Sequence, residues 1–266
     1  MSIVCLGIAR FFSLLPNFKG KKKIAKLVCL IFNYPNYGKV AIKYKNVYIN
    51  LKVDTRDSIE RNLFFNSYEY LDNFNDIIKP NGSFIDVGAN IGIYSLFAAK
   101  SNSKYKVFAF EPVESNFIRF QNNIQLNNLD NIDLYKIALS DKVGSINFEL
   151  SPVKEESGWG GISNSENAMT VSTARLDEIV DQDIEIMKID VEGAELLVLL
   201  GARKLLEKNR IKTIIFEVNP SRMQKLNFNL SDIVQLLEKY GYKILEKDRL
   251  FQQYSNFKVT NGIAQI

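Results

Sequence analysis

From Ser83 onward the sequence alternates short apolar segments with longer amphipathic ones, and this alternation confines the fold more than any other feature. It predicts strands at 83–87, 106–110, 132–138, 184–190, 213–218 and 242–245, with helices at about 92–100, 114–126, 194–207 and 230–240. Runs such as Ile186-Met187-Lys188-Ile189 and Ile214-Ile215-Phe216 are almost unbroken in apolar residues, the pattern of parallel strands covered on both faces. The fold class is therefore α/β, with a doubly wound, mostly parallel sheet and helices on both sides. At 46% hydrophobic and 24% charged, 266 residues supply ample core for one large domain, and disordered, collagen-like and coiled-coil chains are excluded.

Charge divides the chain. Residues 1–53 hold ten Lys/Arg and no Asp or Glu, whereas the rest holds 24 basic and 30 acidic residues. Residues 1–53 read as a basic extension of amino-terminal helices and a β-hairpin over 40–53, and residues 54–266 as the main domain, with helix caps expected at Asp57 and Ser67. A basic block of this size calls for an anionic counterpart. Its apolar runs, 3–15 and 24–32, are too short to span a bilayer, and no basic residue precedes the first, as a secretory signal requires. The expectation is a cytoplasmic protein with peripheral contact to the inner membrane face through residues 1–32. Nucleic acid is not an expected partner, because the lysines of 19–26 lack the interleaved aromatic residues that stack bases.

The chain has no histidine, which removes Ser-His-Asp triads, Cys-His dyads and histidine-ligated zinc. Any general base is then a carboxylate, a lysine or a tyrosine. Cys5 and Cys29 show no CxxC spacing, so neither a disulfide framework nor a structural metal site is indicated. Residues 142–173 break the strand-helix alternation with Gly, Ser and Asn. A loop that long over a compact domain reads as a flap, with Trp159 among glycines offering an aromatic face to a substrate.

In an open α/β sheet a ligand sits at the carboxyl ends of the strands, where the strand order reverses. The first predicted strand runs into Asp86-Val87-Gly88-Ala89-Asn90-Ile91-Gly92, whose glycines allow a tight turn into a helix with free N–H groups. The second ends in Glu111-Pro112, placed where nucleotide sites keep an acid for ribose hydroxyls. The third runs into Ala138-Leu139-Ser140-Asp141, the fourth ends in Lys188-Ile189-Asp190-Val191-Glu192-Gly193-Ala194-Glu195, and the fifth in Phe216-Glu217-Val218-Asn219. Asn90 stands where a dinucleotide fingerprint needs its second glycine, which argues against NAD. The pattern suits a cofactor with a ribose and a compact zwitterionic tail.

The first four of these five motifs, with Asn116 following Glu111-Pro112, together resemble the FkbM-type methyltransferases, enzymes dependent on S-adenosylmethionine (SAM). The likeness covers about residues 54–245, and the segment from Lys188 to Glu195 is its most diagnostic part. It implies the seven-stranded Rossmann-like class I methyltransferase sheet with an antiparallel last strand, SAM as cofactor, and methyl transfer to a hydroxyl, often on a sugar of a glycan or natural product. Carried onto this chain, Asp86, Gly88, Asn90 and Gly92 hold the methionine end, Glu111 the ribose hydroxyls and Asp141 the adenine amino group.

Methyl transfer from a sulfonium is an in-line displacement, so alignment carries much of the catalysis and the acceptor hydroxyl needs a destination for its proton. Asp190 is the candidate general base, with Glu192 or Glu217 as the second, and Lys188 a structural or charge-tuning neighbour. No metal is assigned, although the same three carboxylates could instead hold a divalent cation. Two other functions fit the sequence less well: a nucleic-acid methyltransferase, and a non-catalytic binding protein on the same fold.

Overall fold

Alternation along the central strands divides their side chains between two cores, one on each face of a single sheet. The computed structural model describes residues 37–44, 46–64, 82–150, 160–163, 165 and 168–266, with Phe11, Lys21, Lys23, Ile24 and Leu27 ahead of them. A hairpin of β1 (Tyr37–Tyr44) and β2 (Val47–Asp54) comes first, then α1 (Ser58–Phe64). The main sheet contains β3 (Ser83–Val87), β4 (Lys106–Phe110), β5 (Ile132–Tyr135), β10 (Ile184–Ile189), β11 (Ile211–Val218), β12 (Lys243–Ile244) and β13 (Thr260–Gln265). A smaller sheet contains β6 (Ala138–Leu139), β7 (Gly144–Glu149), β8 (Gly161–Ile162) and β9 (Met169–Ala174). The helices are α2 (Ile93–Ser101), α3 (Glu114–Leu126), α4 (Leu176–Ile179), α5 (Glu195–Gly201), α6 (Arg203–Glu207), α7 (Pro220–Lys225), α8 (Leu230–Lys239) and α9 (Lys247–Ser255).

The seven strands lie in the order β12-β13-β11-β10-β3-β4-β5, parallel from β11 to β5, with β13 antiparallel to both of its neighbours. This is the doubly wound α/β sheet that the alternation predicts. Phe84, Val107, Ala109 and Ile186 face one core, shared with Leu96 and Phe97 of α2 and Phe120 of α3. Ile85, Val87, Phe108, Phe110, Met187 and Ile189 face the other, shared with Val198 and Leu199 of α5 and Ile233 and Leu237 of α8.

Four expectations need correction. The strand predicted at 132–138 ends at Tyr135, and Ala138 and Leu139 pair instead with Thr173 and Ala174 in the smaller sheet. The helix predicted at 194–207 breaks at Ala202, and Gly201, at the break, packs so closely that an added Cβ would lie 2.0 Å from the Ser140 carbonyl oxygen. Residues 142–173 are not one flap: β7, β8 and β9 pair within them, because Ile146 and Val171 alternate with polar residues as strands do. β13 lies beyond the predicted elements, since its sequence Thr-Asn-Gly-Ile-Ala-Gln is weak in strand formers. Trp159 and Ser67 lie outside the described residues, and Asp57 accepts the Glu60 amide at 3.0 Å as the expected cap. Among the described residues no helix is long and apolar enough to cross a membrane.

The hairpin contributes to the core below it. Ile42, Ile49, Leu51 and Val53 are at most 1% exposed and belong to the cluster that holds Phe84 and Phe97. Two buried asparagines of the α3 end replace a third strand along β2. Asn123 Oδ1 accepts the Lys52 amide at 2.9 Å, while Asn127 accepts the Asn50 amide and donates to its carbonyl, both at 2.7 Å. These bonds satisfy an edge whose amides would otherwise be buried unpaired. Leu51→Ala is expected to lower stability by about 3 kcal/mol in a single cooperative urea transition. An unchanged midpoint would show that the hairpin is not part of this core.

Candidate active site

The strand order reverses between β3 and β10, and the turns that follow these two strands are in contact. Gly88 has φ 76° and sits so close to the turn after β10 that an added Cβ would lie 1.9 Å from the Asp190 carbonyl oxygen. Gly193, with φ 99°, meets the backbone of Arg222 at α7 in the same way, at 2.7 Å. Asn90, two residues after Gly88, and Glu192, just before Gly193, also have positive φ, at 52° and 55°. Both turns are therefore held in conformations that most side chains resist.

Between them opens a cavity of about 400 Å³, within the range of small-molecule sites. Gly88, Asn90, Glu111, Asp190, Glu192 and Glu217 all line it, so six of the sequence-predicted residues converge on one space. Asp86 lies beneath the wall, fully buried, accepting the Ser95 hydroxyl at 2.7 Å. Gly92 stands against the Phe120 ring at the start of α2, and the Asp141 side chain accepts the Ser140 hydroxyl at 3.0 Å; neither is in the wall, which is formed there by Ile137, Ala138 and Leu139.

Glu111 is 4% exposed and takes the amides of Asn90 at 2.8 Å and Val113 at 2.9 Å. Burial nevertheless lifts its carboxyl to about 7, the three donors around it, Asn116 among them, offsetting part of the desolvation. Glu195, also fully buried, accepts the Val191 and Gly193 amides at 3.1 and 3.2 Å and fixes the turn after β10.

At the other end, Asp190, Glu192 and Glu217 bring carboxylate oxygens within 4.8 Å of one another. Lys188 Nζ lies 3.1 Å from Asp190, 3.8 Å from Asp86 and 4.8 Å from the Tyr94 ring centre. Burial opposes its charge, but these two carboxylates hold the ammonium above the ordinary lysine range. Glu192 accepts the Asn219 amide at 3.3 Å and lies 3.6 Å from Arg222. Burial, then the neighbouring charge of Asp190, pushes Glu192 up to about 7 and Glu217 to about 9. Glu192 and Glu217 therefore hold their protons more tightly than ordinary glutamates do.

Several wall residues escaped sequence analysis. Tyr94 and Glu60 lie on helices whose register the sequence did not fix, and Phe148 lies on a strand taken for loop. Arg222 had a signal: Asn219-Pro220 starts a helix at a strand end, with the Asn219 side chain accepting the Arg222 amide, which fixes that residue beside the site.

A seven-stranded sheet in this order, with its last strand antiparallel and its cavity at the reversal point, is the Rossmann-like class I methyltransferase fold. The methyltransferase FkbM domain matches residues 86–244, and the chain belongs to that family. The hexuronic acid methyltransferase AglP of Haloferax volcanii is 35% identical over 138 residues, covering 50% of this chain and 54% of AglP. The 2-O-methyltransferase NoeI of Sinorhizobium fredii is 28% identical over 182 residues, 61% of this chain and 73% of NoeI. The crystal structure of methyltransferase FkbM from Methylobacillus flagellatus covers 77% of this chain and 54% of its own, with a TM-score of 0.47 and 15% identity. The chain thus spans about half the length of AglP, and 11% of the antimetabolite synthetase AmbE of Pseudomonas aeruginosa, to which it is 24% identical.

The raised carboxylates make stability depend on pH. Between the ordinary glutamate value of 4.5 and about 9, folded Glu217 keeps a proton that the unfolded chain has lost, so stability falls as pH rises through this window. Glu217→Gln is expected to flatten that fall, with a higher urea midpoint than the wild type at about pH 9 and a similar one at about pH 5. Parallel pH profiles for the two proteins would remove Glu217 as the proton carrier.

Proposed function

We propose that the protein is an SAM-dependent O-methyltransferase whose acceptor is a hydroxyl, on a sugar of a glycan or a glycosylated natural product. The observation that carries this proposal is the convergence of the Gly88 turn, Glu111 and the Asp190 group on one cavity at the strand reversal. The site's chemistry fits the cofactor. Asn90 Oδ1 and Glu217 Oε2 find no hydrogen-bond partner among the described residues, and with Glu111 they form a set of acceptors for a ligand rich in donors and positive charge. The hexuronic acid named for AglP and the 2-O-methylation named for NoeI support the class of acceptor, which in this chain is a proposal.

SAM, when bound, supplies an electrophilic methyl group on a positively charged sulfur. The protein's part is placement and proton transfer. Gly88 and Asn90, in the turn ahead of α2, would hold the methionine end. Asp86, buried below them, acts as a positioning residue through Ser95 and Lys188. Glu111 would take the ribose hydroxyls; the adenine end would meet the wall of Ile137, Ala138 and Leu139, with Asp141 just outside it.

Asp190, 41% exposed in its side chain, reaches the cavity and is assigned as the base that accepts the hydroxyl proton. Lys188 orients it from behind, and Glu192, within reach of Asp190, is the second candidate for the proton. Trp159 remains proposed as an acceptor contact. Asp190→Asn is expected to bind SAM as the wild type does and to lose about 10² to 10⁴ in turnover. Full activity in that variant would reject the base assignment.

The 4.8 Å spacing of Asp190, Glu192 and Glu217 also matches a shared divalent cation. Turnover in excess EDTA separates the two mechanisms: undiminished activity is expected for the proton acceptor, and loss restored by magnesium would replace it with a metal-assisted hydroxyl.

A further inference from the structure

The β1–β2 hairpin has two unlike faces. Ile42, Ile49, Leu51 and Val53 enter the core, and the alternate residues Lys39, Lys43, Tyr48, Asn50 and Lys52 are exposed. The register sets Lys39 opposite Lys52 and Lys43 opposite Tyr48, so three ammonium groups and an aromatic ring share one face of a two-stranded sheet. The Lys43 ammonium lies over the Tyr48 ring, 5.1 Å from its centre. Residues 1–53 contain no Asp or Glu, and the one acid of the hairpin, Asp54 at the end of β2, is paired with Arg56. The 36 residues ahead of β1 add six Lys/Arg and the two apolar runs at 3–15 and 24–32.

We propose that this hairpin face docks on an anionic lipid bilayer surface. Charge complementarity selects an anionic partner, and the mixture of lysines with apolar runs in the preceding segment selects a lipid interface over a nucleic acid. The hairpin has no arginine, and among its described side chains the face carries one ring, already covered by an ammonium. Lysines alone can contact phosphates, but base recognition needs stacking platforms or groove-filling elements, and beyond the covered Tyr48 ring this face offers neither. Lysines, as compact hydrated charges, suit a diffuse layer of headgroups.

The face is tied closely to the site. The Asp54 amide at the end of β2 donates to Glu60 at 2.7 Å, and Glu60 and Leu63 of α1 line the cavity. Docking would bring the cavity to acceptors anchored in the same surface. The surface assignment stands independently of the reaction proposed above.

The full chain is to be co-sedimented with phosphatidylcholine vesicles and with vesicles containing phosphatidylglycerol, at low and high salt. Binding is expected only to the anionic vesicles and only at low salt. The triple variant Lys39→Gln, Lys43→Gln, Lys52→Gln is expected to bind about a hundredfold more weakly, at about fivefold per lysine, while Lys208→Gln, an exposed lysine elsewhere, leaves binding unchanged. Circular dichroism melting checks that the triple variant is folded, and the three single variants serve in its place if it is not. Wild-type protein that stays in the supernatant, variants that sediment as the wild type does, or RNA binding lost on removing the same lysines would each overturn the proposal.

Discussion

The contact between the turns after β3 and β10 is the constraint on which the site depends. Parallel neighbours place both carboxyl ends on one edge, and the reversal of strand order sends their helices to opposite faces, which leaves a crevice. At Gly88 the backbones come so close that a methyl group would overlap the Asp190 carbonyl. That proximity joins the proposed cofactor cradle to the proposed base without an intervening side chain. Both turns hold positive-φ residues at the contact: Gly88, Asn90 and Gly92 in one, Glu192 and Gly193 in the other.

Charge is arranged around the same contact. Asp86 is fully buried, and a carboxylate there would be expensive without a compensating cation. Lys188 supplies it on the neighbouring strand, since register sets Lys188 beside Asp86, and the same ammonium reaches Asp190 two residues on. One buried cation thus serves two carboxylates, and burial beside Asp190 raises the carboxyls of Glu192 and Glu217, only the first of which has a cation, Arg222, within 4 Å among the described residues. A site short of positive charge and rich in acceptors is suited to a ligand that brings positive charge with it.

Much of this was legible in the sequence because it depends on local pattern. β3, β4 and α3 fall on their predicted residues, since apolar runs bounded by Gly88, Glu111-Pro112 and Asn127 leave little freedom. Six of the predicted site residues line the cavity because strand ends on one edge must converge. The failures were tertiary. The smaller sheet is built from polar, half-exposed strands that only pairing defines, and β13 is held by its register against β11, with Gly262 lying against the Phe216 ring. Asn123 and Asn127 read as ordinary helix-end polar residues, and their pairing with β2 emerges only when the hairpin is in place.

The most direct test of the account is a calorimetric titration of the purified full chain with SAM. The account predicts saturable binding at one site per chain, weakened when Glu111, the buried acid at the ribose end, is replaced by alanine in a protein that still folds. Absence of any binding heat across a range of temperatures, or affinity unaltered by that replacement, would contradict the convergence of these turns on a cofactor.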